Sequence, residues 1–298
     1  MNPLLPLLLT SLIAGLSGGS IAYAQPIQTL KISQIRPTQP AIGDDEVKVK
    51  MAQLRGDQQA LLNKYCEDNG AKKVKTFDKH SSLADTTSFT CVAKVGTEPE
   101  KVKSAVLAPD HHIYLTDGHH TLSLYRALAA NHDFPFTVRI THDFSQLASM
   151  QDFWRVMQQQ HLTWLQDPNG HPITPVQLPL QVGLDTLQND PYRSIVYFLR
   201  GIAYDKPEQA PPFLEFYLGS WLRTHQPVNT EQLTTKAGYM AYLQRAALAL
   251  VSASGSEQAT NKSDAPTLSQ LGQRKTVNER KLTKLAEKGG KLSQLFQE

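Results

Sequence analysis

The stretch His111-His112-Ile113-Tyr114-Leu115-Thr116-Asp117-Gly118-His119-His120-Thr121-Leu122-Ser123-Leu124-Tyr125-Arg126 decides how the chain folds. Ile113, Tyr114 and Leu115 have the β-branched and aromatic character of a short buried strand. Leu122, Leu124, Tyr125, Leu128 and Ala129 recur at helical spacing. A strand therefore hands over to a helix through Asp117-Gly118-His119-His120-Thr121. Gly118 allows a tight or left-handed turn, and Thr121 or Asp117 can cap the helix. Amides at a helix start lack intrahelical partners and carry the positive end of the macrodipole. Two imidazoles beside them make a seat for a phosphate.

Outward from this turn, the preceding chain reads as strand and helix in alternation. Thr29 to Ile35 alternates apolar and polar residues as a half-buried strand does, and Arg36-Pro37-Thr38-Gln39-Pro40 stops it. Asp44-Asp45-Glu46 opens a helix with Val47, Met51, Leu54, Leu61 and Leu62 as its apolar stripe, weakened in its middle by Gly56. Phe89 to Val95 and Val102 to Leu107 are further strands. After the turn, Phe136 to Ile140 reads as a strand and Ser145 to His161 as an amphipathic helix. This order predicts an α/β or α+β domain over residues 29–162.

Prolines at 168, 172, 175 and 179 make the following stretch a linker or a wrapped loop. A mainly α-helical domain follows, assigned with that linker to residues 163–253. Asp190-Pro191 sets an N-cap before a first-turn proline, and two more helices are predicted over Phe213 to Arg223 and Glu231 to Ser252. Phe213, Phe216, Tyr217 and Trp221 keep helical spacing and read as core. Residues 254–298 are rich in Ser, Gln, Lys and Gly, and read as a basic, flexible tail whose cations could touch a phosphate backbone.

Composition bounds the rest. A net charge of +3 over 298 residues neither demands nor excludes a polyanionic partner, and 40% hydrophobic residues suffice for a sizeable core. Met1 to Ala24 reads as a signal peptide, with an apolar run from Leu4 to Leu16 and Ala22-Tyr23-Ala24 before Gln25. An uncleaved amino-terminal anchor is the alternative. With the signal removed no stretch is long enough to span a membrane, and the mature chain is expected to be periplasmic or secreted. In that compartment Cys66 and Cys91 are expected to pair, two separate buried thiols being the other reading.

The turn admits several chemistries. His119 or His120 could act as general acid or base, with Asp117 orienting a ring. A divalent ion such as magnesium, manganese or zinc could be held by Asp117, His119, His120 and His112. The spacing matches no fixed metal motif, and direct phosphate contact by imidazoles and amides needs no metal. A purely structural turn, with Asp117 as cap, is the plain alternative. No Gly-rich nucleotide loop or Ser-centred nucleophile elbow is present.

Asp117-Gly118-His119-His120-Thr121, with Arg126 and Ala127 on the helix that follows, resembles the glycine-centred phosphate turn of the ParB/sulfiredoxin superfamily. Leu30-Lys31-Ile32-Ser33-Gln34-Ile35-Arg36-Pro37-Thr38-Gln39 resembles the first strand and Pro-Gln turn of the same superfamily. The combination resembles most specifically the ParB-like nuclease family that carries an Asp-Gly-His-His element. The resemblance implies a ParB/sulfiredoxin-like fold, a nucleic-acid or nucleotide phosphate bound at Gly118, His119, His120 and Thr121, and nuclease or phosphohydrolase activity. His119 stands where sulfiredoxins carry their catalytic cysteine, which sets sulfinic-acid repair aside. Thr121 stands where the relatives carry an arginine, leaving Arg126 to lend charge. The alternative is a non-catalytic anion- or nucleotide-binding module whose helical half docks a protein partner.

Overall fold

A computed structural model describes residues 26–262 and 264–297, so the segment read as a signal peptide lies outside the described residues. The sheet at its centre has five strands in the order β1-β8-β6-β7-β2. These are β1 (Ile27–Lys31), β2 (Ile35–Arg36), β6 (Lys103–Leu107), β7 (Ile113–Leu115) and β8 (Pro135–Asp143). β6 and β7 form an antiparallel hairpin, while β2 runs parallel to β7 and β8 parallel to β6. A 3-10 turn at Ile32–Gln34 divides the strand predicted over Thr29 to Ile35, which lets β1 join one edge and β2 the other.

Alternation along β7 sends Ile113 and Leu115 to one face and Tyr114 to the other. The first face is covered by three helices, α1 (Asp44–Leu54), α2 (Gln58–Asp68) and α3 (His119–Leu128), around Leu62, Tyr125, Phe136 and Val138. α4 (Met150–Gln159) covers the other face, packing Phe153 and Met157 on Val106 and Tyr114. The stripe predicted from Val47 to Leu62 belongs to two helices. Gly56, at φ 78°, breaks it, and Asp57 caps α2 by accepting from the Ala60 amide at 2.9 Å. Between α2 and β6 lie the short pair β4 (Val74–Thr76) and β5 (Thr90–Cys91), and a disulfide joins Cys66 of α2 to Cys91.

The proline-rich stretch wraps the sheet half. The Thr38 carbonyl accepts from the Trp164 amide and the Thr163 hydroxyl, Val182 and Leu187 enter the sheet-side core, and β9 (Gln188–Asn189) pairs with β3 (Ala41–Ile42). The helical half begins at α5 (Pro191–Leu199), where Asp190 accepts from the Tyr192 and Arg193 amides. α6 (Leu214–His225) and α7 (Lys236–Ser252) complete it. α1 serves both halves, with Val47 in the sheet-side core and Val49 in the helical one.

The carboxy-terminal stretch differs from the flexible tail predicted for it. Leu268, Leu271, Leu282, Leu285 and Leu292 are buried against α5, α6 and α7, and the stretch carries α8 (Glu279–Lys284) and α9 (Lys291–Leu295). The leucines arrive from bends and very short helices, so no continuous period announces them. No helix among the described residues is long and apolar enough to cross a membrane.

Candidate functional site

The turn after β7 is shaped by what lies across it. The Thr116 and Asp117 amides both donate to the Ser104 carbonyl on β6, which pins the hairpin exit. Gly118 follows at φ 103° and caps α3. A Cβ there would stand 2.7 Å from Lys103 Cγ, so glycine is required by backbone and by space. Lys103 crosses the turn and ends 3.3 Å from Asp68, which also accepts from Lys64 at 2.9 Å and from the Tyr125 hydroxyl at 2.6 Å. Burial raises the Asp68 pKa, but Lys103, Lys64 and Tyr125 outweigh it and hold the carboxyl below its ordinary value.

α3 begins at His119, and its first i to i−4 bond runs from the Leu122 amide to the Gly118 carbonyl at 2.9 Å. The amides of His119, His120 and Thr121 precede that bond, as helix geometry dictates. His119 is buried, and its Nε2 accepts from the Thr38 amide at 3.1 Å. His120 Nε2 accepts from the Gly43 amide at 2.9 Å. A ring nitrogen that accepts from an amide carries no hydrogen, so each neutral ring holds its proton on Nδ1. Burial drives the His119 pKa down to about 3 and takes His120 well below the ordinary imidazole value. At neutral pH both rings are therefore uncharged hydrogen-bond donors. Glu46 stands 3.7 Å from His120. Burial raises the Glu46 pKa, but with His120 neutral the nearby charges of Arg193 at 2.9 Å and Lys50 at 2.6 Å keep it ionised.

A cavity of about 310 Å³ opens over the turn, lined by Asp117, Gly118, His119 and His120. Its opposite wall comes from the helical half: Arg193, Lys206, Glu215 and Phe216, with His161 at the end of α4 and Gln39 from the Pro37–Pro40 segment. Asp117 is exposed at the mouth of this cavity. A larger cavity of about 780 Å³ lies between α4 and residues 174–180, walled mainly by Trp154, Tyr114, Pro175 and Leu178. It contains no residue of the turn.

The structure gathers part of the predicted set and separates the rest. His112 lies at the opposite end of β7 from Asp117, bonded to Arg36 at 3.0 Å and 3.3 Å from Asp110, because the whole strand intervenes between the two histidine pairs. Arg126 sits further along α3, where it donates to Gln181 at 3.0 Å and to the Val182 carbonyl at 2.8 Å and pairs with Asp185 at 2.9 Å. Its guanidinium fastens the wrapping segment and does not line the cavity. Among the described residues no three His, Cys, Asp or Glu side chains are grouped to hold a metal ion, and both turn histidines spend Nε2 on the backbone. The donor set expected for a divalent ion therefore does not assemble there.

Arg193, Lys206, Glu215 and His161 escape sequence reading because they enter from distant segments. The one available cue was the Pro37-Thr38-Gln39-Pro40 segment, whose backbone supplies the partner of His119.

A mixed five-stranded sheet with a glycine-capped turn facing a helical cap defines the class of this molecule. The chain belongs to the family described as "Putative ParB-like nuclease", whose model matches residues 28–224. In fold it is similar to the crystal structure of protein Atu1540 from Agrobacterium tumefaciens, with a TM-score of 0.54 and 20% sequence identity, over 81% of this chain and 97% of that one. No curated protein matches the sequence.

Proposed function

We propose that this protein is an exported nuclease or phosphohydrolase that seats one phosphate of a nucleic acid or nucleotide over the Asp117–Thr121 turn. The carrying observation is the pair of neutral imidazoles, each locked by a backbone amide through Nε2, beneath a cavity that also holds Arg193 and Lys206. Donors dominate such a site: the amides of His119, His120 and Thr121 and the Nδ1 hydrogens can satisfy phosphate oxygens, and fixed donors stabilise developing negative charge in a substitution at phosphorus. The histidines then bind and polarise, and do not exchange protons. Asp117 is the carboxylate able to take a proton from an attacking water. Family membership supports a nucleic-acid substrate, and the Cys66–Cys91 disulfide supports a periplasmic or secreted location.

A second reading is a binding module without turnover. It is favoured by the same locked histidines, which leave Asp117 as the sole acid–base candidate on the turn.

The test measures binding of inorganic phosphate and a mononucleotide by calorimetry, and cleavage of single-stranded, duplex and ribonucleic substrates with magnesium, manganese or zinc supplied. The proposal expects Asp117→Asn to keep phosphate affinity and to slow cleavage by about 10²–10⁴-fold, the usual contribution of a general base. Phosphate binding without cleavage of any substrate would favour the module. Absence of both would overturn the phosphate site itself.

A further inference from the structure

Four cations from separate segments gather around Tyr197 on α5. Lys291 Nζ lies 3.9 Å from the Tyr197 ring centroid and Lys50 Nζ lies 6.0 Å from it. Arg200 ends the same helix, and Lys281 packs over the next residue, with Nζ 2.7 Å from where a Cβ on Gly201 would stand. The local acids do not balance them. Glu46 is shared between Lys50 and Arg193, and Glu215 is taken by Arg200. Neither Lys281 nor Lys291 has an ion-pair partner among the described residues. The Lys291 amine registers the imbalance: burial, and then Arg200, Lys50 and Lys281 against Glu46 alone, bring its pKa down to about 8. A fold that holds like charges together gains when a polyanion neutralises them.

Ion pairs link the patch to the cavity over the turn. Arg193 and Glu215 line that cavity, Arg200 holds Glu215, and Glu46 stands between His120 and Lys50. Lys281 and Lys291 lie beyond residue 224, outside the segment matched by the family model.

We infer that Lys50, Arg200, Lys281 and Lys291 form a second station for the phosphate backbone of a single nucleic-acid strand whose reacting phosphate occupies the turn at Gly118. This rests on the phosphate reading above and extends it to a substrate longer than one nucleotide. Cations drawn from α1, the end of α5, α8 and α9 suit the repeated charges of a strand, whereas one small anion could satisfy only part of them.

The experiment measures anisotropy of a labelled single-stranded phosphorothioate oligonucleotide of about twenty nucleotides across a salt series, beside calorimetry with a mononucleotide. Each lost phosphate contact lowers the slope of log affinity against log salt by about 0.7 for single strands. The double variant Lys281→Gln/Lys291→Gln is expected to lower the slope by about 1.4 and to leave mononucleotide affinity unchanged. Lys72→Gln/Lys73→Gln, which removes the same charge from the exposed excursion before β4, is expected to leave the slope as in the wild type. If the double variant fails to melt cooperatively, Lys281→Gln alone carries the test with half the slope change. An unchanged slope, an equal loss in the control, or a loss shared by the mononucleotide overturns the inference while leaving the cavity reading in place. A wild type that binds the mononucleotide and no oligonucleotide does the same. Failure of both probes on the wild type overturns the cavity reading, and this inference with it.

Discussion

An imidazole whose Nε2 accepts from a backbone amide has no lone pair to spare as a base, and His119 and His120 are both in that position. The consequence is measurable in stability. Unfolded histidine titrates near 6.5, whereas burial brings His119 to about 3. Between those values the unfolded chain binds more protons, so this contribution is complete above about pH 6.5 and is lost as pH falls towards 3. Each such histidine adds a slope of at most about 1.4 kcal/mol per pH unit. Glu46, whose pKa is also lowered, acts in the same direction but only below its ordinary value of 4.5, whereas Asp44 and Asp190, whose pKa values burial raises above 3.8, act oppositely, so the histidine share is read from the difference between wild type and variant. Urea midpoints from pH 4.5 to 7.5 should fall more steeply on acidification in the wild type than in His119→Gln; parallel profiles would mean that His119 takes up its proton as readily in the fold as in the unfolded chain. Gly118→Ala should cost about 1–3 kcal/mol by thermal melting, from a positive φ and a Cβ driven onto Lys103. Adding Lys103→Ala should recover only the steric share. The turn itself was legible because its residues are contiguous, but the locked state of the rings was not. Their partners, Thr38 and Gly43, lie 81 and 77 residues away in sequence.

Elements with chemical punctuation were easy to read, and those shaped by packing were not. Asp190-Pro191 announced α5 through its cap and its fixed first-turn φ. The 3-10 break after β1 carried no such mark, because it exists to place β1 and β2 on opposite edges of the sheet. Arg126 illustrates the difference within one helix. Sequence distance from the turn suggested a helper cation, but its position on α3 turns it to the wrapping segment, where it meets Gln181, Val182 and Asp185. Arg126→Ala should therefore lower the melting temperature, at a cost of about 1–3 kcal/mol for stranded acceptors, and leave phosphate affinity unchanged. A tenfold loss of affinity at constant stability would instead make the guanidinium a ligand contact. The excursion from α2 to β6 depends on covalent closure. Cys66 and Cys91 enclose a 25-residue separation, and reduction should cost about 3–4 kcal/mol in the chain-entropy account. Paired urea titrations with and without reductant measure it, and coincident curves would assign the excursion's order to its packing alone.

For the whole molecule, the decisive feature is that neither half closes by itself. α1 gives Val47 to one core and Val49 to the other, and the cavity over the Gly118 turn draws its walls from both. The carboxy-terminal stretch closes the helical side. Leu268, Leu271, Leu282, Leu285 and Leu292 are buried there, and the Gln273 side chain donates to the Leu250 and Ala253 carbonyls at the end of α7. Polar and glycine-rich composition concealed this, since isolated leucines between bends leave no helical period while still filling a core. Five buried leucines are together worth about 8–15 kcal/mol, comparable to the full stability of an ordinary domain. A chain ending at Ala253 should accordingly lose its cooperative melt, and not merely its basic charge. Limited proteolysis of the complete chain distinguishes the two pictures directly: trypsin should spare the bonds after Lys281 and Lys284 under native conditions despite their exposed side chains. Rapid removal of residues 254–298 leaving a fragment that melts cooperatively would mean that this stretch is an appendage. The cation cluster around Tyr197 would then be incidental to the fold and to any strand it meets.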